Sequence, residues 1–259
     1  MQAAPTQSGL RVASARELLL PITVLICFGL YYGAELPLWA VAVVAVPMLV
    51  LYALAPRWAA RSVVSFDRDL VHLLSTGRRQ ALPGRYARAL GMRIFSTAGV
   101  SAERRAVVAA ENADAREAQA SYRVALREYD AQPPLRVLLG YANACYALGD
   151  DIEAIRVYRE LQAGAAALPG VRRNLVHAMV RSGESLREAL ALLDDAARND
   201  VGRARPVDTD LMRAVAHAKL GEFDRARMLA DAYPVADGEF AMSLRTELER
   251  VLDGATAPI

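Results

Sequence analysis

Few residues in this 259-residue chain are equipped for chemistry, and their spacing does not gather them. The candidates are His72, His177 and His217, the cysteines Cys27 and Cys145, and the carboxylate pairs Asp150-Asp151 and Asp194-Asp195. A zinc site needs three or four ligands converging on one point. The histidines lie far apart along the chain, so a shared metal is not expected. Asp150-Asp151 follows Gly149 at a helix start, where negative charge suits the helix dipole. Asp194-Asp195 falls within or near the end of a helix, and both pairs read as solvated faces. Cys145 stands beside Ala144 inside a helix and reads as a small core residue. There is no GxxxxGKS/T, GxSxG or HExxH, and no GxGxxG after a strand. The sequence therefore predicts a non-enzyme with no cofactor and no metal.

The elements around those residues say more. Hydrophobic residues make up 54% of the chain and charged residues 23%, and the mean hydropathy is +0.16. That balance excludes a disordered chain, a collagen and a disulfide scaffold. Of 31 basic residues only Lys219 is lysine; with the abundant alanine this reads as GC-rich bacterial coding. The net charge of +2 conceals an asymmetry, because residues 56–100 carry +6 and residues 101–259 carry −4. A nucleic-acid binder spreads positive charge over its folded domain, so no nucleic-acid partner is expected.

Leu18 to Tyr32 and Leu36 to Ala55 are free of charge, apart from Glu35 between them. A helix needs ~20 apolar residues to cross a hydrocarbon core of ~30 Å. The second run has that length; the first approaches it when extended to Ala34. Gly33 and Pro37 break the chain between them, and Tyr31, Tyr32 and Trp39 cluster there as interfacial aromatics do. The expectation is a transmembrane helical hairpin over 18–55. Arg11, Arg16, Arg57 and Arg61 flank it while the turn has no arginine, which places both termini in the cytoplasm. A signal peptide over the first run is the alternative, and the second run would still anchor the chain after cleavage. A soluble buried helix pair fits less well, since the runs lack polar residues on every face. Gly29 and Gly33 form a GxxxG spacing, read either as a dimerisation face or as ordinary packing within the hairpin.

Beyond Pro56 lies a basic collar. Val63, Phe66, Leu70, Leu73 and Leu74 recur at helical spacing and predict a helix ending near Gly77. Pro83-Gly84 opens another, with Tyr86, Leu90 and Ile94 on one side. Arg57, Arg61, Arg78 and Arg79 are the candidates for contact with anionic lipid headgroups, at ~1 kcal/mol each near the surface. The plainer reading is a solvated face that fixes topology, and the two are compatible.

From Ser101 onward the pattern is helix after helix. In LGYANACYALGDDIEAIRVYRELQ and LMRAVAHAKLGEFDRARMLADAYP an alanine stands seven before a glycine (Gly149, Gly221) and another stands five after it. Between them, RNLVHAMVRSGESLREALALLDDA has Gly183 and, after one inserted residue, Ala189. Each unit reads as helix, glycine-capped turn, helix. This resembles the tetratricopeptide repeat, whose period is 34 residues, over about residues 134–232 and from 101 if ENADAREAQASYRVALREY closes a degenerate first unit. No tryptophan opens a unit, and Pro133, Pro134, Pro169 and Pro206 only approximate the prolines between units.

The resemblance implies an all-α solenoid whose first helices line a concave groove for a peptide or partner helix. It implies groove contact by Asn143 and Asn174, at offsets where peptide-gripping members carry asparagines, with Arg173 and His177 beside them. Leu139, Asp208 and Met212 occupy places where a carboxylate clamp would need basic residues, so a C-terminal peptide ligand is not implied. The plainer reading makes both asparagines ordinary exposed polar residues. The expected organisation is a cytoplasmic tail over 1–17, the hairpin over 18–55, basic juxtamembrane helices over 56–100, a repeat domain over 101–254 and a tail over 255–259. The expected protein is a bacterial inner-membrane adaptor that recruits protein or peptide partners and touches membrane lipids. Self-association is left open. The alternative is an accessory subunit of a membrane enzyme or secretion complex, associating mainly through its hairpin.

Overall fold

A computed structural model describes residues 15–34, 36–129, 132–164, 169–199, 207–232 and 238–256. Arg11, Glu35, Pro206 and residues 257–259 lie outside that set. The described residues form thirteen α-helices and no strand: α1 Ala15–Phe28, α2 Leu38–Ser75, α3 Leu82–Arg88, α4 Leu90–Phe95, α5 Ala98–Glu111, α6 Ala115–Tyr129, α7 Leu135–Leu148, α8 Asp151–Gly164, α9 Pro169–Ser182, α10 Leu186–Asn199, α11 Val207–Lys219, α12 Phe223–Asp231 and α13 Glu239–Thr256. The expected all-α class is what the described residues adopt. The chain divides into two compact units, Met1–Ala144 and Cys145–Ile259.

In the first unit, α1 continues into a π-helical turn, Gly29–Gly33. The apolar helical stretch Leu18–Gly33 is about 24 Å long at 1.5 Å per residue, short of a ~30 Å hydrocarbon core. Within it Thr23 donates to the Leu19 carbonyl at 2.6 Å, which satisfies its hydroxyl. A Cβ built on Gly29 or Gly33 meets no atom within 4 Å. The GxxxG spacing is therefore not required by packing within the unit.

Among the described residues α2 is the one helix long and apolar enough to cross a membrane. Its first half leaves Trp39 and Val43 largely exposed. The boundary drawn between residues 55 and 56 falls inside one helix: α2 runs through Pro47 and Pro56 for 38 residues. An interior proline removes one backbone donor, so Pro56 cannot bond the Tyr52 carbonyl. Ala55 and Ala59 are buried on either side of it, and tertiary packing holds both turns in one helix.

The second half of α2 is a core element. Phe66 joins Leu82 (α3), Met92 (α4) and Val108 (α5) in a buried cluster, with Val63, Leu70 and Tyr86 packed against it. Burying each such side chain contributes roughly 1.5–3 kcal/mol. The helix stops at Gly77, as expected, where φ is +71°. The single helix expected from Pro83 is broken at Ala89 into α3 and α4. The break turns Gly91 and Met92 inward and leaves Leu90 and Ile94 exposed, so the Tyr86–Leu90–Ile94 stripe is not one buried face. A Cβ on Gly91 would lie 3.1 Å from Ser62 and Trp58 side-chain atoms, which records how closely α4 approaches α2.

Turns with a residue in the left-handed region join α5 to α6, α7 to α8, α9 to α10 and α11 to α12 along the chain. The residue in the left-handed region is Ala113, Gly149, Gly183 or Gly221. At three of the turns the next two backbone N–H groups fold back on the helix end, as in Asp114 to Ala109, Asp150 to Cys145 and Glu222 to His217, each at 2.9 Å. This is the Schellman arrangement, which satisfies orphan carbonyls. Seven residues before the turn stand Ala106, Ala142, Val176 and Ala214, all buried. Five after it stand Ala118, Ala154 and Ala226, and six after it Ala189, all fully buried. The inserted residue of the third pair is absorbed by Ser185, at φ +55°, whose carbonyl accepts from Ala189 at 3.0 Å. ENADAREAQASYRVALREY thus spans the turn and second helix of a full first pair.

In the second unit each helix packs on its sequence neighbour from α8 to α12, α9 also touches α11, and α13 closes against α11. α13 runs two residues past the expected stop at Gly254.

Candidate functional site

The strongest gathering of polar and aromatic side chains in the second unit comes from α7, α9, α11 and α13, the first helices of successive pairs and the closing helix. His177 (α9) lies at its centre. The Tyr146 (α7) hydroxyl and His177 Nδ1 share a hydrogen bond, and the Phe240 (α13) ring meets the imidazole edge-on with centroids 4.6 Å apart. Arg181 stacks over Tyr146 at 4.5 Å; it donates to the Tyr146 carbonyl at 2.6 Å and is held by Asp151. Arg173 lies over Phe240 at 4.8 Å and pairs with Asp208 (α11). Lys219 donates to the Arg181 carbonyl and pairs with Glu247, 3.0 and 2.9 Å away.

These surroundings set the charge of His177. Burial pushes its pKa down to about 4; Arg181, Arg173 and Lys219 push the same way, and Asp151 opposes them. The imidazole is neutral at pH 7 and serves as a packed hydrogen-bonding group. Burial likewise raises the Tyr158 phenol to about 12, so it stays protonated.

The four groove candidates are distributed as follows. Arg173 and His177 belong to the cluster just described. Asn174 is half-buried, and its amide donates to the Tyr158 hydroxyl at 3.4 Å. Asn143 is exposed on α7, within the first unit. Tyr146, Asp208 and Phe240 were not anticipated as partners of these residues. Only the repeat spacing hinted at them, since residues about one period apart fall on successive first helices.

Several of the remaining chemically able residues are paired or buried. His217 bonds Glu222 at 2.8 Å within its own turn. Asp194 and Asp195 pair with Arg213 and Arg172, at 3.0 and 3.2 Å. Arg213 also forms a buried pair with Asp210 at 2.9 Å. Cys145 is fully buried. In the first unit the buried Glu103 accepts from Tyr129 at 2.7 Å and Arg104 at 2.8 Å, and it also pairs with Arg136. No motif or spacing pointed to this network, whose members are 26 to 33 residues apart where they join separate helices.

The collar candidates Arg57, Arg61, Arg78 and Arg79 are all exposed. Arg79 lies 3.5 Å from Glu111. Among the described residues Arg57, Arg61, Arg78 and also Arg68 and Arg88 have no carboxylate within ion-pair distance. This stretch therefore presents concentrated, uncompensated positive charge beside the apolar half of α2.

These features define a protein helical throughout its described residues, in which a long apolar helix is continuous with a packed core. No protein-family model matches the chain, and comparison with curated proteins finds no match.

Proposed function

We propose that this chain is a membrane-anchored adaptor of a bacterial inner membrane, with a tetratricopeptide-like solenoid that recruits a protein or peptide partner. On this reading α1 and α2 form a two-helix hairpin anchor, both termini face the cytoplasm, and the arginine collar rests against anionic headgroups. The chain acts by binding and needs neither cofactor nor metal. The observation that carries the reading is the continuity of α2, whose apolar exposed half becomes, without a loop, the core helix beneath the first helix pair.

The side chains from α7, α9, α11 and α13 supply the partner surface. Arg173 and His177 stand at its centre with Asn174 on the same helix, and Asn143, in the first unit, is the further contact that the resemblance implies. The stacked rings and guanidiniums of Tyr146, Phe240, Arg173 and Arg181 suit a peptide that brings acidic and aromatic side chains.

The test is crosslinking in native membranes followed by purification in mild detergent, comparing wild type with Asn143→Ala/Asn174→Ala and with Arg173→Ala. Weaker capture of one specific partner, with unchanged helicity, supports the groove. Unchanged capture moves the interaction to the hairpin, the reading of the chain as an accessory subunit. Deleting residues 101–259 would not separate the two, because it removes Val108 from the cluster around Phe66. Clean release from vesicles by alkaline washing would overturn the membrane anchor.

A further inference from the structure

A cleft of about 290 Å³ opens between α2 and the α3–α4 corner, lined by Trp58, Arg61, Ser62, Ser65, Arg85 and Arg88 among others. We propose that it binds the phosphate headgroup of an anionic phospholipid, a proposal that rests on the reading of α2 as a membrane span. The volume lies at the lower end of the ~300–1,000 Å³ of small-molecule sites, a size for a headgroup.

Its charge is suited to phosphate. Arg85 is pinned by Asp69 and donates to the Ser65 hydroxyl at 3.1 Å. Arg61 and Arg88 have no carboxylate partner among the described residues. Two guanidiniums thus keep their donor forks available, and such forks match phosphate oxygens bidentately. The Ser62 and Ser65 hydroxyls add neutral donors.

The height is also suited. Trp58, Arg61, Ser62 and Ser65 follow helical spacing and share one face of α2. From Leu38 the helix rises about 30 Å by Trp58, the thickness of a hydrocarbon core. Trp58, half exposed, then lies at the interface where tryptophan is favoured, and Arg61 lies about 4.5 Å further out, in the headgroup layer. The walls are fixed in place. Trp58 packs on Phe95 with centroids 5.4 Å apart, and α4 approaches closely at Gly91.

The experiment uses the full-length chain reconstituted with phosphatidylglycerol in phosphatidylcholine, then re-purified in mild detergent, with retained lipid counted by native mass spectrometry. Wild type is expected to retain phosphatidylglycerol over phosphatidylcholine. Arg61→Gln/Arg88→Gln should lower that retention by about tenfold or more, because both free guanidiniums of the cleft are then neutral amides. Arg68→Gln/Arg116→Gln, with the same charge change at exposed positions outside the cleft, should retain it. All three forms should elute and absorb as folded helical protein, since none of these arginines has an ion-pair partner among the described residues. Equal retention by both variants, or no preference over phosphatidylcholine, overturns the site. Displacement by millimolar inorganic phosphate as readily as by phosphatidylglycerol assigns the cleft to free phosphate and overturns the lipid. Alkaline washing separates the two layers of the claim. Release of wild type from the vesicles sinks the membrane reading itself, whereas embedded protein without retained lipid sinks only the cleft.

Discussion

Arg104 on α5 grips Asp67 on α2 through two parallel hydrogen bonds, Nε to Oδ1 at 3.1 Å and Nη2 to Oδ2 at 2.9 Å. The pair fastens the first helix pair to the extension of the apolar helix. Arg104 is mostly buried and also serves Glu103, whose carboxylate is only 5% exposed. The two partners are therefore not equivalent. Asp67→Ala removes a half-exposed carboxylate and should cost about 1 kcal/mol. Arg104→Ala also weakens the shell of a buried carboxylate and should cost about 3 kcal/mol. Denaturant unfolding of the two variants, followed by helicity, checks the order.

His177 makes stability depend on pH. Its folded pKa of about 4 lies below its unfolded value of about 6.5. Between these values the unfolded chain binds a proton that the folded chain does not. Its contribution is fully present above pH 6.5 and is lost as pH falls through that window toward 4. After allowance for partial exposure the loss is on the order of 2 kcal/mol. Unfolding curves across the window should show this slope in wild type and a shallower one in His177→Gln; parallel slopes would refute it.

The repeated turns make a paired prediction. Gly149→Ala and Gly221→Ala place a Cβ at φ +85° and +79°, and each should destabilise by about 1 kcal/mol. Ala113→Gly does the reverse, because Ala113 already bears that strain at φ +60°; it should stabilise by about 0.5 kcal/mol. Thermal unfolding midpoints measure both signs.

Gly140 marks a close approach of α7 to α6. A Cβ there would overlap the Tyr122 ring, and Tyr122 is buried. Gly140→Ala should cost about 2–3 kcal/mol through overpacking. Tyr122→Phe should not rescue it, because the clash is with the ring, whereas Tyr122→Leu should recover part of the loss. A double-mutant cycle in denaturant reads the coupling.

The sequence signals that survived folding were local ones. Gly149, Gly183 and Gly221 announced their turns because only glycine adopts that conformation cheaply. Ala113 makes the same turn with a residue that carries no such signal, so the first pair could only be suspected from the helix that follows it. Pro56 beside a run of arginines looked like a boundary, but a proline stops a helix only when nothing packs on both sides of it, and Ala55 and Ala59 do. The cluster around His177 depends on Tyr146, Asp208 and Phe240, each 31 to 63 residues away. A period of about 34 residues brings such positions onto adjacent helices, but which side chains meet is decided by helix rotation, which a pattern of alanines does not encode. The collar was legible as charge. The cleft within it was not, because Arg85 and Arg88 reach Arg61 only where the chain turns back after Gly77.

The continuity of α2 has a mechanical consequence on the proposed reading. A continuous helix that crosses a bilayer and ends in a folded core acts as a lever. Thickening or thinning of the surrounding lipid changes the tilt of such a helix, and the core around Phe66 must swing through the same angle. Bilayer elasticity would thereby set the pose in which the attached helix pairs meet their surroundings.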